Sequence, residues 1–211
     1  MIKIIDDCVE PVFFNTLKNE IFNFRHMPWF FSPFTAYRLK STDTDDFSFS
    51  HLAVKDGEDN SDLAPYARMF IKRVFEKLNY ETPIIYRVRF GLIVKSHINK
   101  IHGPHVDHHS PHKTGLVYLN DSDGDTYFYN NYYKPELNDG LSQFEYYQKY
   151  IKEHLQIVKS VNPKSNRLVL FDGYQYHSSS SPTETQFRIV MNFNYDKNIP
   201  KHSSENSSES Y

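Results

Sequence analysis

Hydrophobic residues in the first third of the chain recur at helical spacing. Phe13, Leu17, Ile21 and Phe24 follow one another at intervals of three or four residues, which places their side chains on one face of an α-helix. A second apolar stripe with the same period runs through residues 62–79. The sequence therefore predicts two amphipathic helices, each with one face packed against other parts of the protein.

After Pro83 the apolar runs become shorter, contain many β-branched and aromatic residues, and are separated by turn residues. This pattern is typical of β-strands, and it predicts strands over residues 84–95, 100–107, 114–120, 125–130, 154–161, 167–172 and 187–195. Short antiparallel strands commonly form a double-sheet jelly roll, because that arrangement protects the sheet edges. We therefore expect a mainly β (α+β) fold, a double-stranded β-helix or jelly roll braced by N-terminal helices.

The length of 211 residues suits one domain with a substantial core. We predict a single domain over residues 1–200, with a helical N-terminal part (1–83) and a jelly-roll core (84–196). The stretch 41–62 is rich in Asp, Ser, Thr and Asn, which indicates an exposed loop. Residues 201–211 include five serines and have no apolar period, so we expect a disordered tail.

Charge and cysteine content limit the classes of partner. The formal net charge of −2 provides no bulk attraction to nucleic acid or to an anionic membrane. The single cysteine, Cys8, cannot form a bridge within the chain, as is usual in a reducing compartment. Asp6 and Asp7 follow closely on the first residue, and no run of about 20 apolar residues is present. We therefore expect a cytoplasmic protein with no membrane partner.

Three residues form a candidate metal site. His105 and Asp107 are one residue apart, and in a strand such residues point to the same side. The apolar segment 167–172 leads into His177, which offers a third ligand from a distant part of the chain. Two histidines and one carboxylate are the ligand set that leaves ferrous iron with open positions.

A candidate anion site follows the third ligand. Arg188 opens the strand predicted at 187–195, and the period of two puts Asn192 on the same face. An arginine that faces the interior is costly unless it meets an anion, and its planar fork suits a carboxylate. Arg87 and Arg89 share a face of the first barrel strand and could take this role instead.

Four further histidines crowd the same stretch: His102, His108, His109 and His112. Such a cluster could bind zinc or nickel in a loop, or could be a solvated polar turn. Asp107 and His109 have the same spacing, but in the order Asp then His. We favour His105 and Asp107 because a His-then-Asp pair with a following strand and a distal His and Arg resembles the order found in a known family of iron enzymes. One of the other four could face a substrate.

Together these residues resemble the Fe(II)- and 2-oxoglutarate-dependent oxygenases, and within them the prolyl 4-hydroxylase-like branch. The likeness covers roughly residues 84–196. It rests on the motifs His105-Val-Asp107, Gly115-Leu-Val-Tyr-Leu-Asn120, Asp123-Gly-Asp-Thr126 and Leu168 to His177, and on Arg188. Asp123 departs from the family pattern, since the similar turn there is Gly-Gly-x-Thr.

The resemblance implies roles for individual residues. It implies an Fe(2+) site whose ligands are His105, Asp107 and His177. It also implies that Arg188 and Tyr118 bind the co-substrate 2-oxoglutarate, with Asn192 as a polar contact near the metal. The implied activity is that of a dioxygenase, which hydroxylates a substrate and releases succinate and CO2. The resemblance requires no catalytic acid or base beyond the metal ligands, and it allows ascorbate as an additional cofactor.

The substrate stays open at this point. A peptidyl prolyl side chain is the first guess by likeness, and other peptides, proteins or small molecules are alternatives. Nucleic acid is disfavoured, because Asn192 and Asn194 occupy the region in which the nucleic-acid dealkylases carry a further Arg. The competing interpretations are a non-catalytic metal- or ligand-binding jelly-roll module and a metal enzyme that uses no keto acid.

Overall fold

The computed structural model describes residues 1–36 and 47–196. Both predicted helices are present, as α1 (Pro11–Phe22) and α2 (Ala64–Lys77). Pro11 opens α1, where its fixed φ suits a helix start and its missing N–H is not needed. Phe24 lies beyond the end of α1 and is exposed, so the helix is shorter than the apolar stripe indicated.

The described residues contain eleven strands and a short helix, α3 (Gln143–Tyr146). The strands are β1 (Lys3–Ile5), β2 (Phe30–Ser32), β3 (Ser48–Lys55), β4 (Glu58–Asp59), β5 (Ile85–Val94), β6 (Lys113–Tyr118), β7 (Thr126–Tyr132), β8 (Ile157–Val161), β9 (Arg167–Asp172), β10 (Gln175–Ser179) and β11 (Phe187–Tyr195). A π-helical turn, Tyr147–Ile151, and the 3-10 turns Pro135–Leu137 and Lys152–His154 accompany α3 in the connection from β7 to β8.

The strands form two antiparallel sheets. The larger has the order β1-β9-β6-β11-β5-β3-β2, with β4 paired to β3, and the smaller has the order β10-β7-β8. The expected jelly roll braced by helices is therefore confirmed. None of the described helices is long and apolar enough to cross a membrane.

Alternation along the strands of the larger sheet separates two apolar clusters. Val117 and Leu119 lie in the cluster that includes the buried faces of α1 and α2, whereas Leu116 and Tyr118 face the smaller sheet. Phe193 belongs to the helix-side cluster and is fully buried, and a buried Phe side chain contributes roughly 1.5–3 kcal/mol. The helices therefore cover one face of the sheet and leave the other face for the inter-sheet space.

Two predictions about local structure are wrong. Residues 100–107 form no strand and make only isolated bridges at Ile101 and His105, because Pro104 has no N–H to continue a ladder. Residues 48–59 were expected to be loop, but they form β3 and β4, since β3 pairs along β5. Tertiary pairing here overrides a polar composition. Residues 41–46 of the predicted loop and the predicted tail lie outside the described residues.

β10 is a strand that the sequence did not reveal. Its buried polar residues, among them Gln175 and Ser178, give it no apolar alternation, and its pairing with β7 defines it. The part of the chain expected to be helical, 1–83, also supplies β1 to β4 to the larger sheet. The sheet therefore begins well before residue 84.

The Asp123 carboxylate fixes the connection between β10 and β11. It accepts hydrogen bonds from the backbone N–H groups of Thr183, Glu184 and Thr185, at 2.7, 2.9 and 3.0 Å, and from the hydroxyls of Thr183 and Thr185, both at 2.8 Å. Burial raises the pKa of Asp123, but the hydrogen bonds from Thr185 and Thr183 outweigh it and hold the pKa below its usual value. Asp123 therefore has a structural role, at the position where the motif differs from Gly-Gly-x-Thr.

We expect Asp123→Asn to lower the free energy of unfolding by about 1–2 kcal/mol, because an amide cannot accept all five bonds. Urea denaturation measures this value. The matched control is Asp139→Asn, since Asp139 is exposed and its side chain accepts no hydrogen bond from the described residues. Equal stabilities for the two variants would contradict the role given to Asp123.

The contribution of the Asp123 carboxylate to the free energy of unfolding should fall as the pH is lowered. The pKa of Asp123 is lower in the folded state, so its stabilisation is complete above the unfolded pKa of about 3.9 and is lost as the pH falls toward the folded pKa. The stability difference between the unsubstituted protein and Asp123→Asn should therefore stay constant from about pH 5 to 7 and shrink below about pH 4. Urea denaturation across this range checks the sign.

Candidate metal centre

A backbone bridge brings the two distant histidines together. The N–H of His105 donates to the carbonyl of His177 at 2.9 Å, and the N–H of His177 donates back at 3.0 Å. Their ring centroids are 4.6 Å apart. Nδ1 of His105 lies 3.0 Å from the Gly103 carbonyl and Nδ1 of His177 lies 3.1 Å from the Gln175 carbonyl. Each Nδ1–H can therefore donate to a carbonyl, which leaves both Nε2 atoms available as metal ligands.

Asp107 completes the group. Its Oδ2 lies 3.9 Å from Nε2 of His177, and one ligand atom from each of the three residues falls within 4.8 Å of the others. Two ligand atoms 3.9 Å apart can share an ion whose bonds are about 2.1 Å long. The structure thus brings together the three residues that the sequence predicted as a metal site.

The larger sheet holds the Asp107 carboxylate in place. Nδ2 of Asn192 and Nδ2 of Asn194 each donate to Oδ2 at 3.0 Å, and the Thr114 hydroxyl donates at 3.2 Å. Nη1 of Arg87 lies 3.7 Å from Oδ1. Asn192, predicted as a polar contact near the metal, therefore contacts the carboxylate directly.

The protonation states suit a cation. Burial, followed by the nearby His177, lowers the pKa of His105 to about 4. Burial alone would raise the pKa of Asp107, but His177, Arg87 and His105 together hold it well below its usual range. At neutral pH His105 is therefore uncharged and Asp107 is ionised, as metal ligation requires.

Arg188 lies in the same cavity as these three residues. It is 3% exposed, its Nη2 donates to the Thr126 hydroxyl at 2.8 Å, and its Nε has no hydrogen-bond partner among the described residues. Burial lowers the pKa of Arg188. A buried guanidinium without a carboxylate partner is costly, so this part of the cavity suits an anion.

Tyr118 lies behind Arg188 and Thr126 and is not among the residues that line the cavity. Its hydroxyl donates to Oγ1 of Thr126 at 2.7 Å, and its ring lies 5.5 Å from the guanidinium carbon of Arg188. The sequence motif gave Thr126 no individual role, but its Oγ1 accepts hydrogen bonds from both Tyr118 and Arg188. Asn194 was likewise assigned no contact, because its bond to Asp107 depends on strand register.

The other four histidines lie outside the candidate metal site formed by His105, Asp107 and His177. His102 is buried against the hydroxyls of Ser179 and Ser181, at 2.8 and 3.0 Å, and burial lowers its pKa to about 3. His108 is exposed, His109 stacks on the ring of Tyr133, and the His112 ring packs over Gly173.

Comparison with known proteins identifies the fold. Neither the protein-family models nor the curated proteins contain a match to this chain. Solved structures do match. The epimerase SnoN from nogalamycin biosynthesis, in complex with Fe3+, alpha ketoglutarate and nogalamycin RO, superposes with a TM-score of 0.60 at 12% identity, over 93% of this chain and 78% of that one.

Two other structures match over a similar extent. A prolyl hydroxylase from Trichoplax adhaerens, in complex with a hypoxia inducible factor peptide fragment, gives a TM-score of 0.53 at 14% identity, over 92% of this chain and 83% of that one. HygX from Streptomyces hygroscopicus, with nickel, 2-oxoglutarate and hygromycin B bound, gives 0.53 at 11% identity, over 92% and 82%. The fold is that of the 2-oxoglutarate- and iron(II)-dependent oxygenases. The oxygenase fold of this chain thus agrees with the resemblance seen in its motifs.

Gly124 allows the oxygenase fold to close around Arg188. A Cβ at this position would lie 2.6 Å from the Ser180 carbonyl oxygen and 3.2 Å from Cδ of Arg188. Gly91 faces the same cavity, but a Cβ there would meet only Cγ2 of Val190, at an ordinary 3.6 Å. Packing therefore requires glycine at 124 and not at 91.

We expect Gly124→Ala to lower the free energy of unfolding by about 1–3 kcal/mol, because the added methyl group overpacks the turn beside Arg188. Gly91→Ala is the matched control and should leave stability unchanged or slightly higher, since alanine is less costly than glycine in a strand. Thermal or urea denaturation of both variants measures this. A Gly124→Ala protein as stable as the control would contradict the close packing.

Proposed function

We propose that this protein is an Fe(II)- and 2-oxoglutarate-dependent dioxygenase that hydroxylates a substrate. The observation that carries the proposal is the presence, in one cavity, of the group His105, Asp107 and His177 and of the buried Arg188. The two histidines and the aspartate suit a divalent metal with open positions, and the arginine suits a carboxylate. A co-substrate that chelates iron and carries a second carboxylate needs both.

His105, Asp107 and His177 would hold the iron. When bound, iron and 2-oxoglutarate would supply a reaction with dioxygen in which one oxygen atom enters succinate as CO2 is released and the other is inserted into a substrate C–H bond. The chain contributes position and surroundings. Both Nδ1–H groups are directed to backbone carbonyls, and the two asparagines and Thr114 orient the carboxylate.

Arg188 and Thr126 would bind the distal carboxylate of 2-oxoglutarate. The unpartnered Nε of Arg188 supports this assignment, because a buried N–H without an acceptor costs about 1–3 kcal/mol until a ligand provides one. Tyr118 acts through Thr126, since its hydroxyl donates to Oγ1 of that residue. The role predicted for Tyr118 therefore becomes an indirect one.

The substrate class includes a peptidyl prolyl side chain and small molecules. The similar structures include a prolyl hydroxylase with a peptide and HygX with hygromycin B, so likeness alone does not choose between a peptide and a small molecule.

A reducing, cytoplasmic location is consistent with the single free thiol, because Cys8 is buried and its Sγ donates to Asn166 at 3.2 Å.

The direct test is anaerobic reconstitution with Fe(II) and 2-oxoglutarate. We expect a weak visible charge-transfer band that His177→Ala abolishes, because it removes a metal ligand. The matched control is His108→Ala, since His108 is exposed and outside the metal-binding group, and this variant should keep the band. Absence of the band in the unsubstituted protein would favour a non-catalytic binding module.

Release of succinate provides the second measurement. In the presence of oxygen, succinate should form only when 2-oxoglutarate is added. Arg188→Met should raise the KM for 2-oxoglutarate at least tenfold, equivalent to about 1.4 kcal/mol, because a charge-assisted hydrogen bond to the carboxylate is lost. A metal enzyme that uses no keto acid would show neither effect.

We expect Asn194→Ala to weaken metal binding by about tenfold to a hundredfold, because partners of a ligating carboxylate orient it. Asn194 also donates to Thr114 Oγ1 at 3.1 Å, so its loss frees two groups at once. Titration with Mn(II), monitored by electron paramagnetic resonance, measures the affinity. At saturating metal the affinity for 2-oxoglutarate should stay the same, and a fall in that affinity alone would contradict this role.

A further inference from the structure

A second arginine lines the cavity. Arg89 lies on β5, and it pairs across the sheet with Asn192 of β11. Val88 and Phe90, its neighbours in sequence, are in the helix-side core, so Arg89 faces the inter-sheet space. Arg89 lines the same cavity as Arg188 and the candidate metal ligands His105, Asp107 and His177.

Arg89 has no ion pair and no hydrogen bond with its side chain in the described part of the protein, whereas Arg87 contacts Asp107 and Asn194. Burial, followed by the charge of Arg87, lowers the pKa of Arg89. The charge of Asp107 acts in the opposite direction, but the net effect of the surroundings disfavours the positive charge, and Asp107 forms no ion pair with Arg89. A cation held in this way favours a bound anion.

The cavity wall beside Arg89 has room for a ligand and a hydroxyl group that could bind it. Gly91, two residues along β5, adds no side chain to the cavity, although packing would accept a Cβ there. Ser48 of the neighbouring β3 also lines the cavity, and its buried hydroxyl has no hydrogen-bond partner in the described residues.

The charges of the cavity lead to the same conclusion. Among the described residues that line it, Asp107 is the single carboxylate, and Arg89 and Arg188 are the two guanidinium groups. A divalent metal and a dicarboxylate co-substrate neutralise each other, so their binding leaves one positive charge unmatched. With Arg188 assigned to 2-oxoglutarate, that charge belongs to Arg89.

We propose that Arg89 is the substrate-binding residue of this site, and that the substrate is a small molecule whose carboxylate or phosphate group binds the Arg89 guanidinium. This inference rests on the proposed function, because it assumes that Arg188 holds the co-substrate. The arginine fork can donate two parallel hydrogen bonds to either anion. The anchored group would then fix which C–H bond lies next to the metal-binding residues.

The test uses two simple anions as probes. Mn(II)-loaded protein saturated with 2-oxoglutarate is titrated with acetate, observed through its methyl proton resonance, and separately with inorganic phosphate, observed through its phosphorus resonance. The paramagnetic metal broadens the signal of an anion bound in the cavity. We expect saturable broadening by at least one anion at millimolar concentration, and the stronger of the two identifies the group that the substrate carries.

Arg89→Met should weaken this binding at least tenfold, while the affinity for 2-oxoglutarate should change by less than about threefold. The matched control is Arg73→Met, because Arg73 lies on α2, pairs with Glu76 and is 46% exposed in its side chain. It removes the same charge far from the cavity and should leave anion binding unchanged. Arg89→Lys keeps the charge, guards against loss of folding and should retain part of the binding.

Three outcomes would overturn the proposal. Equal broadening in Arg89→Met would place the anion on the metal, and no broadening with either probe would remove the anion site. Loss of 2-oxoglutarate binding in Arg89→Met would make Arg89 the co-substrate residue. If the unsubstituted protein failed to bind 2-oxoglutarate, the proposed function would fail, and the anion titration of the Mn(II) protein would still report on Arg89.

Discussion

The reciprocal backbone hydrogen bonds between His105 and His177 are the constraint on which the rest of the site depends. They attach an irregular segment to β10 without a continuous ladder, and they set the two imidazoles side by side. Asp107 follows two residues later and reaches the same point. Main-chain pairing therefore fixes the separation of the two histidines, and side-chain bonds at Nδ1 fix the ring orientation. Side chains of the larger sheet hold the Asp107 carboxylate. Such preorganisation suits a candidate metal site, because its possible ligand atoms are already held in place.

The larger sheet combines a stable apolar face with a costly polar face. On β11, Ile189, Met191 and Phe193 pack under the helices, whereas Arg188 and Asn192 face the cavity. Burying an arginine and amides reduces stability unless they are partnered. The helix-side cluster, with its several buried aromatic rings, offsets this cost. The N-terminal helices thus support a cavity whose described lining includes no residue of α1 or α2.

Much of the site could be predicted from the sequence, because its members have distinctive types, spacing and order. His105, Asp107, His177 and Arg188 fall into this class. The prediction of a strand over residues 100–107 was wrong. His105 and His177 still lie side by side, because an isolated bridge pairs His105 with β10 in place of a continuous ladder. The contacts of Asn194 could not be predicted, since they depend on a register that pairs it with Thr114 across β6 and β11. β10 was missed because pairing, and not apolar alternation, defines it.

The walls of the cavity belong to different layers. Thr126 and His177 come from the smaller sheet, whereas Arg89 and Arg188 come from the larger one. A ligand that forms hydrogen bonds to both walls connects the two sheets. Separation of the sheets and dissociation of that ligand are therefore linked equilibria. Resistance of the chain to proteolysis thereby becomes a measure of how well the cavity is filled.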